Sequence, residues 1–588
     1  MIDNANDLNH GSTLRADVCI VGTGAAGSSL ALRLIDSGLD VIVLESGGDK
    51  EEPETQALYN GETVDEAMHS PPDKYRQRRF GGSTTIWGGR CMPLDPIDFE
   101  ARPWIANSGW PIGYDAVAPY YEGATRLAET GENDFDGATA FGPKPPEMFA
   151  GFYSARVTTD SLERFSLPTN FGARYRHKLA AAKKLRVLTY ANVIDIGLNA
   201  EGTQARSVAV ATLAGKRFTV EAKSIVLATG GLEVPRLLLA SRAVHADGIG
   251  NAHDVVGRYY QCHIAGNVGE LQVSGPTSKV RHGYELSPEG IYCRRRMALV
   301  PDEQRRLKVG NLVARLHFPT IIDPSHRIGV LSGLYMAKFF ISYEYSKRLH
   351  GGDKATLGRY VAHARNILFD SVDTLGFLSH WIRKRTLATR KFPSVILRNK
   401  SNRFSLEVHG EQEPQPASRV KLMADKRDVF GMPQLSIDWR YTQKDIETVS
   451  TSLDVIGEEL RRAGVGELSY DRATIERDVM RYGAYGGHHI GTARMGSDPR
   501  SSVVDANCQV HGVDGLFVAS AAVFPTSSQA NPTLTVIALA LRLGDHLRAR
   551  HGVAGATLAG QPARATAAPV ELPVAARGAL PGGQGALA

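Results

Sequence analysis

The feature that most constrains the fold of this chain is the stretch from Ala16 to Gly48, ADVCIVGTGAAGSSLALRLIDSGLDVIVLESGG. An apolar run from Val18 to Val21 is followed by a glycine-rich turn, an apolar-faced helix and a second apolar run that ends at Glu45. This order predicts a strand, a tight turn, a helix and a second, parallel strand.

The turn, GTGAAG, has the pattern GxGxxG, and each glycine has its own physical reason. Gly22 permits the tight turn, Gly24 lets the backbone approach a pyrophosphate, and Gly27 lets the helix pack closely on the strand. The helix begins at Ala25 and Ala26, where unpaired N–H groups and the positive end of the helix dipole favour phosphate. The turn therefore predicts a phosphate cradle.

Glu45 follows the turn by about 20 residues, which is the spacing at which a carboxylate can accept both hydroxyls of an adenosine ribose. The stretch as a whole therefore predicts a dinucleotide-binding domain of the Rossmann type. At this point NAD and FAD remain equally open.

Composition limits the remaining classes. The chain has 588 residues, 43% hydrophobic and 22% charged, which is typical of a soluble globular protein with more than one domain. A net charge of +6 on this length does not indicate a nucleic-acid partner. The five cysteines are scattered, so neither a metal site nor a disulfide framework is expected. Neither a secretory signal nor a membrane span is evident, so we expect a cytoplasmic protein.

A second glycine-rich segment begins at Arg79 and reads RFGGSTTIWGGRCMP. Four glycines in so short a segment, Gly81, Gly82, Gly88 and Gly89, predict a loop whose backbone contacts a flat or charged group. Apolar residues inside the segment argue against an ordinary surface loop.

The segment GGSTTIWGG, at this distance beyond a GxGxxG–Glu unit, resembles the flavin-contacting loop of the glucose-methanol-choline (GMC) oxidoreductases. The resemblance implies that the dinucleotide is FAD, contacted by Gly81, Gly82, Ser83, Trp87, Gly88 and Gly89. Pyranose and choline oxidases carry a flavin-linked histidine where this chain has Ile86. The resemblance therefore implies noncovalent FAD.

The same resemblance assigns three further cofactor contacts. In the family, the strand residue aligned with Val193 meets the adenine through its backbone, and a turn like the one beginning at Thr229 lies beside the cofactor. Where many members carry aspartate near the ribityl chain, this sequence has Ser520, which still offers a hydroxyl.

The C-terminal part contains the segment GGHHIGTARMG and, further on, Asn531, Pro532 and Thr533 at the start of an apolar-periodic run. Asparagine followed by proline predicts the capped start of a helix, whose positive end would stabilise negative charge on a reduced flavin. His488 and His489 are two candidate bases for removing a hydroxyl proton.

The family pattern His-x-x-Gly-Thr places the catalytic base at His488 and leaves His489 as its neighbour. The second catalytic position of the family, histidine or asparagine, corresponds to Asn531. The resemblance thus implies oxidation of an alcohol to a carbonyl by hydride transfer to FAD.

The expected fold class is α/β, or α+β overall, with a Rossmann-type FAD-binding domain and a substrate domain built on an antiparallel sheet with helices. We expect the FAD domain to comprise residues 1–260, with an irregular connection or lid at 131–175, and to resume at 471–551. The substrate domain is expected at 261–470 with a helical insertion at 330–400, and a disordered tail is expected at 552–588.

The insertion at 330–400 is rich in basic and aromatic residues. We expect helices that pack on the substrate sheet, with an oligomer contact, an electron-transfer partner or a membrane surface as alternatives.

The segments HHIGTARMG and ALALRLGDHL, with Asn-Pro rather than His at the second catalytic position, resemble those of bacterial sugar dehydrogenases and of pyranose or glycoside oxidases. This resemblance implies a secondary hydroxyl of a sugar or glycoside as substrate. Alternatives are an aminocyclitol or sterol-like alcohol, the flavin subunit of a membrane electron-transfer complex, and a flavoprotein that has lost its chemistry. The electron acceptor, oxygen or a quinone-like molecule, is left open.

Overall fold

The computed structural model describes residues 1–143, 145–276, 279–319, 321–340, 356–394, 402–481, 483–484 and 487–553. Its strands are β1 (Ile2–Asn4), β2 (Thr13–Val21), β3 (Val41–Leu44), β4 (Gly61–Thr63), β5 (Arg90–Cys91), β6 (Val157–Phe165), β7 (Leu185–Thr189), β8 (Asn192–Leu198), β9 (Ala205–Ala211), β10 (Arg217–Leu227), β11 (Ile264–Val273), β12 (Glu285–Leu286), β13 (Tyr292–Leu299), β14 (Leu312–His317), β15 (Arg403–Gly410), β16 (Arg419–Arg427), β17 (Pro433–Asp438), β18 (Gly466–Ser469) and β19 (Leu516–Val518).

The α-helices are α1 (Ala25–Leu34), α2 (Pro53–Gln56), α3 (Ala118–Ala128), α4 (Phe171–Ala181), α5 (Gly230–Ala240), α6 (Pro301–Leu307), α7 (Gly329–Met336), α8 (Leu357–Phe369), α9 (Ser371–Trp381), α10 (Gln443–Arg462), α11 (Ile475–Met480) and α12 (Thr533–Arg550).

The first sheet has the strand order β1-β7-β3-β2-β10-β9-β8, with β19 beside β10. Strands β2 and β3 pair in parallel and α1 connects them, so the predicted strand–turn–helix–strand unit is confirmed. The C-terminal helix α12 packs on α1, and strand β19 pairs in parallel with β10. The C-terminal segment thus returns to the Rossmann-type domain, where its start can meet the first turn.

The second large sheet has the order β18-β11-β15-β14-β13-β6-β5, with antiparallel pairing throughout and β12 beside β13. The mixed α/β fold class with a second, antiparallel sheet is confirmed. Period-two apolar spacing at 419–423 and 434–439 predicts two further strands of this sheet. The structure has them as β16 and β17, but they form a separate small sheet with β4.

The segment 131–175 is less irregular than expected, because it contains β6 and the start of α4. Strand β6 joins the second sheet beside β13, so this part of the chain builds the substrate side rather than only a connection. Its sequence, VTTDSLERF, does not alternate cleanly because the charged Glu163 and Arg164 are buried in ion pairs.

Three further local sequence patterns differ from the structure: 185–197 predicts a strand pair, 96–130 predicts a helical segment, and a helix is predicted to start near Pro235. The strands at 185–197 exist, but β7 pairs with β3 and β8 with β9, so they do not pair with each other. The segment 96–130 is α-helical only at its end, in α3, because glycine and proline interrupt the earlier part. Helix α5 starts at Gly230, and Pro235 lies inside it rather than near its start.

The described part of the insertion contains the three helices α7, α8 and α9. These helices enclose a small apolar cluster of their own that includes Val330, Leu331 and Phe377. No helix in the described ranges is long and apolar enough to cross a membrane. The expected tail lies, from residue 554 onward, outside the described residues.

Candidate active site

A cavity of about 440 Å³ lies where the two glycine-rich segments and the C-terminal segment meet. Most of the residues that the sequence singled out line it. These are Gly22, Gly24, Ala25, Ala26, Glu45, Gly82, Ser83, Trp87, Gly88, Gly89, Thr229, His488, Ser520, Asn531, Pro532 and Thr533. Segments that are distant in the sequence therefore converge on one site.

Three predicted residues lie beside this cavity rather than on its lining. A Cβ on Gly27 would lie 1.9 Å from the carbonyl oxygen of Gly22, so this glycine serves the helix–strand packing. The backbone N–H of Gly81 donates to Thr23 Oγ1 at 3.0 Å and supports the loop from behind. Val193 lines an adjoining cavity of about 40 Å³, to which Gly22 and Thr229 also contribute.

The carboxylate of Glu45 is held in place by the first turn. Its Oε2 accepts from the backbone N–H and the hydroxyl of Thr23, at 3.0 and 2.5 Å, and its Oε1 accepts from the N–H of Gly47 at 3.1 Å. Burial raises the pKa of Glu45, while these hydrogen bonds act in the opposite direction. Because Oε2 already accepts two hydrogen bonds, a ribose hydroxyl would be accepted at Oε1, where it competes only with the long contact of the Ser46 hydroxyl at 3.4 Å.

The first turn fits a pyrophosphate. A Cβ on Gly24 would meet no atom within 4 Å, so the backbone borders open space there. A Cβ on Gly82 would lie 2.9 Å from the Cα of Gly24, so the two glycine-rich loops approach each other closely. Helix α1 starts without a side-chain cap, which leaves its N–H groups available to an anion.

At the other end of the cavity, His488 is hydrogen-bonded through both ring nitrogens. Its Nε2 lies 3.0 Å from the amide Nδ2 of Asn531, and its Nδ1 lies 2.9 Å from Nδ1 of His263. Because an amide NH₂ group only donates, this contact assigns the lone pair of the His488 ring to Nε2 and its proton to Nδ1. The Nδ1–H then donates to His263.

His263 stands just before β11 and His409 lies in β15, and their rings stack with centroids 4.2 Å apart. The ring nitrogens of His263, His409 and His488 lie within 4.8 Å of one another, a grouping that the sequence did not indicate. The 2.9 Å between the two Nδ1 atoms is a hydrogen-bond distance. It is shorter than the separation of about 3.3 Å between two ligands of a tetrahedral zinc ion.

Burial and, secondly, the positive charge of Arg90 lower the pKa of His488 to about 4. Burial also lowers the pKa of His263 and of His409 well below the ordinary histidine value. All three imidazoles are therefore neutral at pH 7, and His488 is already in the form that can accept a proton.

Asn531 does not cap α12 as expected. Pro532, which has no polar side chain to cap the helix, occupies the N-cap position, and the amide of Asn531 contacts His488 instead. Its Oδ1 is buried without a hydrogen-bond partner among the described residues. The start of α12 borders the cavity through Pro532, which has no backbone N–H, and through Thr533, which has one. Ser520 also borders it, and its oxygen accepts from the N–H of Ala522.

His489 also borders the cavity, but its ring stacks on Tyr260, with centroids 6.1 Å apart, and lies 6.3 Å from His69. Burial lowers its pKa well below the ordinary value, followed by the charge of Arg76. These contacts agree with the interpretation of His489 as a packed neighbour of His488.

The remaining wall of the cavity comes from the second sheet and from the end of the insertion. It carries aromatic, charged and polar side chains that sequence reasoning missed, namely Phe165, Tyr284, Arg294, His317, Ser394 and Glu407. The hydroxyl of Tyr284 is buried without a hydrogen-bond partner among the described residues. Arg294 donates to the carbonyl of Leu316 at 2.6 Å and lies 3.6 Å from Glu407. These residues stand singly in different parts of the chain, so no sequence motif indicates them.

Residues 414–540 match the family model described as GMC oxidoreductase, and residues 16–259 match the one described as pyridine nucleotide-disulphide oxidoreductase. The chain is 24% identical to 2-methyl-1,2-propanediol dehydrogenase of Mycolicibacterium austroafricanum, over 91% of this chain and 96% of that protein. It is 40% identical to a C-glycoside 3-oxidase of Arthrobacter globiformis, over 22% of this chain and 24% of that protein.

Among solved structures, pyridoxine 4-oxidase from Mesorbium loti is similar in fold. The alignment has a TM-score of 0.52 and 20% sequence identity, and it covers 90% of this chain and 98% of that one.

Proposed function

Because this chain belongs to the GMC oxidoreductases, which are FAD enzymes acting on alcohols, we propose that it oxidises a secondary hydroxyl of a sugar or glycoside to a carbonyl. The main observation behind the proposal is the contact of His488 with Asn531, which lies on the wall of the cavity just before the N-terminal end of α12. When bound, FAD supplies the acceptor for the hydride that leaves the alcohol carbon.

In this proposal His488 takes the hydroxyl proton at Nε2. The ring is neutral at pH 7 and its Nδ1–H is committed to His263, so the lone pair at Nε2 faces Asn531 and the cavity. His263 acts as a positioning residue, because its acceptor nitrogen fixes the tautomer whose lone pair is on Nε2. The imidazolium that forms keeps its hydrogen bond to His263.

Asn531 binds the substrate oxygen as a donor in this proposal. Its Nδ2 lies 3.0 Å from His488 Nε2, so a substrate oxygen that lies beside both can replace their mutual hydrogen bond, giving its proton to the histidine and accepting from the amide. Asparagine cannot compete as a base. The positive end of α12 beside it favours the negative charge that arrives with the hydride.

The polar wall of the cavity favours a carbohydrate. Sugars present several hydroxyls and an apolar ring face, which suit the unpaired hydroxyl of Tyr284, the guanidinium of Arg294 and the ring of Phe165. The similarity to a C-glycoside 3-oxidase over part of the chain supports the same class. The similarity to a diol dehydrogenase over most of the chain favours, as the second candidate, a smaller or non-sugar alcohol.

Ile86 borders the cavity and has no group that could bond to a flavin, so we propose that the FAD is held noncovalently. Acid denaturation of the holoprotein would release such a cofactor into the supernatant. A flavin that stays with the precipitated chain would contradict this part of the proposal.

The substrate class is tested by mixing the holoprotein anaerobically with a panel of monosaccharides, glycosides, aminocyclitols and simple diols, and following the visible flavin absorbance. We expect bleaching by one or more sugars or glycosides. Bleaching by diols alone would replace the first candidate by the second. Reoxidation of the bleached enzyme by air and by a soluble quinone, measured side by side, then identifies the acceptor.

A further inference from the structure

The outer surface of the insertion is the largest concentration of exposed apolar side chains in the described residues. Nine of the nineteen large apolar side chains that are exposed lie between positions 357 and 387. We call them the insertion face, and they are Leu357, Val361, Leu368, Phe369, Val372, Leu375, Leu378, Ile382 and Leu387. Val372 is 82% exposed and Phe369 is 81% exposed. A surface of this kind marks an interaction site.

Helical spacing shows that the face is continuous on α8. Leu357, Val361 and Leu368 follow one another at intervals of four and seven, so they lie on the same side of the helix. The opposite side packs on α7, where the ring of His363 stacks on Tyr335 with centroids 4.2 Å apart. Helix α8 is therefore apolar on a side that no described part of the chain covers.

Helix α9 repeats this arrangement. Val372, Leu375 and Leu378 lie on its outer side, whereas Phe377 packs into the small cluster of the insertion and Trp381 packs beside Phe392. An outer stripe of aliphatic residues on two consecutive helices has no role in holding the insertion together. Within the described parts of the chain, nothing covers this stripe.

The same segment is strongly basic. Residues 357–391 contain seven arginines and lysines and two aspartates, which gives a net charge of +5 where the whole chain carries +6. Arg383 and Lys384 are exposed at the end of α9, and Arg365 is exposed on α8 beside Phe369. The apolar stripe and the positive charge therefore belong to one surface.

We propose that the insertion face docks the protein onto an anionic phospholipid surface. Helices that present aliphatic side chains flanked by arginine and lysine bury the apolar groups at the headgroup boundary and pair the charges with anionic lipids. In a dimer formed through this face, the net charge of +5 on one copy would repel the same charge on the other, so self-association is disfavoured. The helices lie on the membrane in this proposal, since no helix in the described ranges can span one.

The insertion also connects the face to the cavity. After α9 the chain reaches Phe392, which packs against Phe165 and Tyr292, and the next residues, Pro393 and Ser394, line the cavity. Docking would therefore hold the substrate side of the cavity near the membrane. The docking proposal itself does not depend on which alcohol is oxidised.

The test uses the holoprotein and vesicles of phosphatidylcholine, with and without phosphatidylglycerol, in a co-sedimentation assay at low and high salt. One variant carries Val372→Ser, Leu375→Ser and Leu378→Ser, and a second carries Arg383→Gln and Lys384→Gln. The matched control is Val64→Ser with Val429→Ser, two exposed apolar residues outside the insertion. FAD content and the unfolding temperature show that each variant is folded.

We expect binding to vesicles that contain phosphatidylglycerol, weakened by salt. Loss of the two charges in the Arg383→Gln, Lys384→Gln variant should weaken partitioning onto the vesicles by roughly 10- to 30-fold. The variant with three serines should partition at least as weakly, and the control variant should bind like the wild type. Absence of vesicle binding by the wild type would overturn the proposal, as would equal binding by the variants. A wild-type dimer that the serine variant converts to a monomer would show instead that the face joins two copies.

Discussion

Alanine at Gly24 and alanine at Gly27 should have opposite consequences, although the two residues are three positions apart in the same turn. At Gly24 the backbone has φ −62° and ψ −171°, which alanine adopts easily, and the new Cβ would meet no atom of the chain within 4 Å. At Gly27 the new Cβ would lie 1.9 Å from the Gly22 oxygen and 2.9 Å from its carbonyl carbon.

The magnitudes follow from these distances. A Cβ and a carbonyl oxygen ordinarily stay about 3.3 Å apart, so at Gly27 the helix and the turn must separate by more than an ångström. Overpacking of this kind costs ~1–3 kcal/mol, and we expect Gly27→Ala to lower the free energy of unfolding of the apoprotein by that amount. Gly24→Ala should leave the apoprotein unchanged or slightly more stable, by up to about 1 kcal/mol.

For FAD binding, we expect Gly24→Ala to have the larger effect. The methyl group at Gly24 would occupy the space through which the backbone approaches the pyrophosphate, so we expect FAD binding to weaken at least ~10-fold, or about 1.4 kcal/mol. Urea unfolding of the apoproteins and FAD titration followed by flavin fluorescence measure the two effects separately. Wild-type affinity in Gly24→Ala, or wild-type apoprotein stability in Gly27→Ala, would refute this reading of the turn.

Three further predictions concern the histidine cluster. The pKa of His488 is about 4 in the folded state and 6.5 in the unfolded state, so the unfolded state binds the proton first as the pH falls. Protonation of this group should therefore lower the free energy of unfolding, measured with urea, by about 3 kcal/mol between pH 6.5 and pH 4. This loss should be absent in His488→Asn. His263→Ala should lower kcat far more than it changes KM, and His263→Asn, whose oxygen can still accept from His488 Nδ1, should recover part of the loss in steady-state assays. Asn531→Asp should place a carboxylate beside His488 and raise its pKa, so the acid limb of the kcat/KM profile should move to higher pH; an unchanged limb would contradict the contact.

The first turn could be predicted from the sequence because all of its constraints are local. Glycine spacing, the two apolar runs and Glu45 lie within one strand–helix–strand unit, and the structure has β2, α1 and β3 where the pattern indicates them. Thr23, which holds Glu45, occupies a variable position of the pattern and so carried no signal. The local sequence thus predicts the phosphate cradle, whereas the contacts that support it depend on the folded structure.

The histidine cluster could not be predicted in the same way. His263 and His409 meet because β11 and β15 pair in antiparallel register, with Ala265 opposite His409, and no local pattern specifies that register. The approach of His488 to Asn531 was implied only by the family resemblance. The small adjustment at α12, where Asn531 turns away from the helix to His488, depends on this tertiary contact.

In the insertion, the sequence indicated helices because their apolar residues recur at helical intervals. It could not show which apolar side packs inward, because Phe377 and Leu378 are neighbours in the chain and only the position of α7 decides which of them is covered. The same ambiguity concealed β6, where buried ion pairs replace the alternation expected of a strand.

The most direct test of the central claim is the single-turnover rate of flavin reduction by a saturating substrate under anaerobic conditions. We predict that His488→Ala binds FAD like the wild type but reduces it roughly 10²- to 10⁴-fold more slowly, whereas His253→Ala, at an exposed histidine outside the cavity, reduces it at the wild-type rate. Flavin reduction at the wild-type rate in His488→Ala would contradict the assignment of the base.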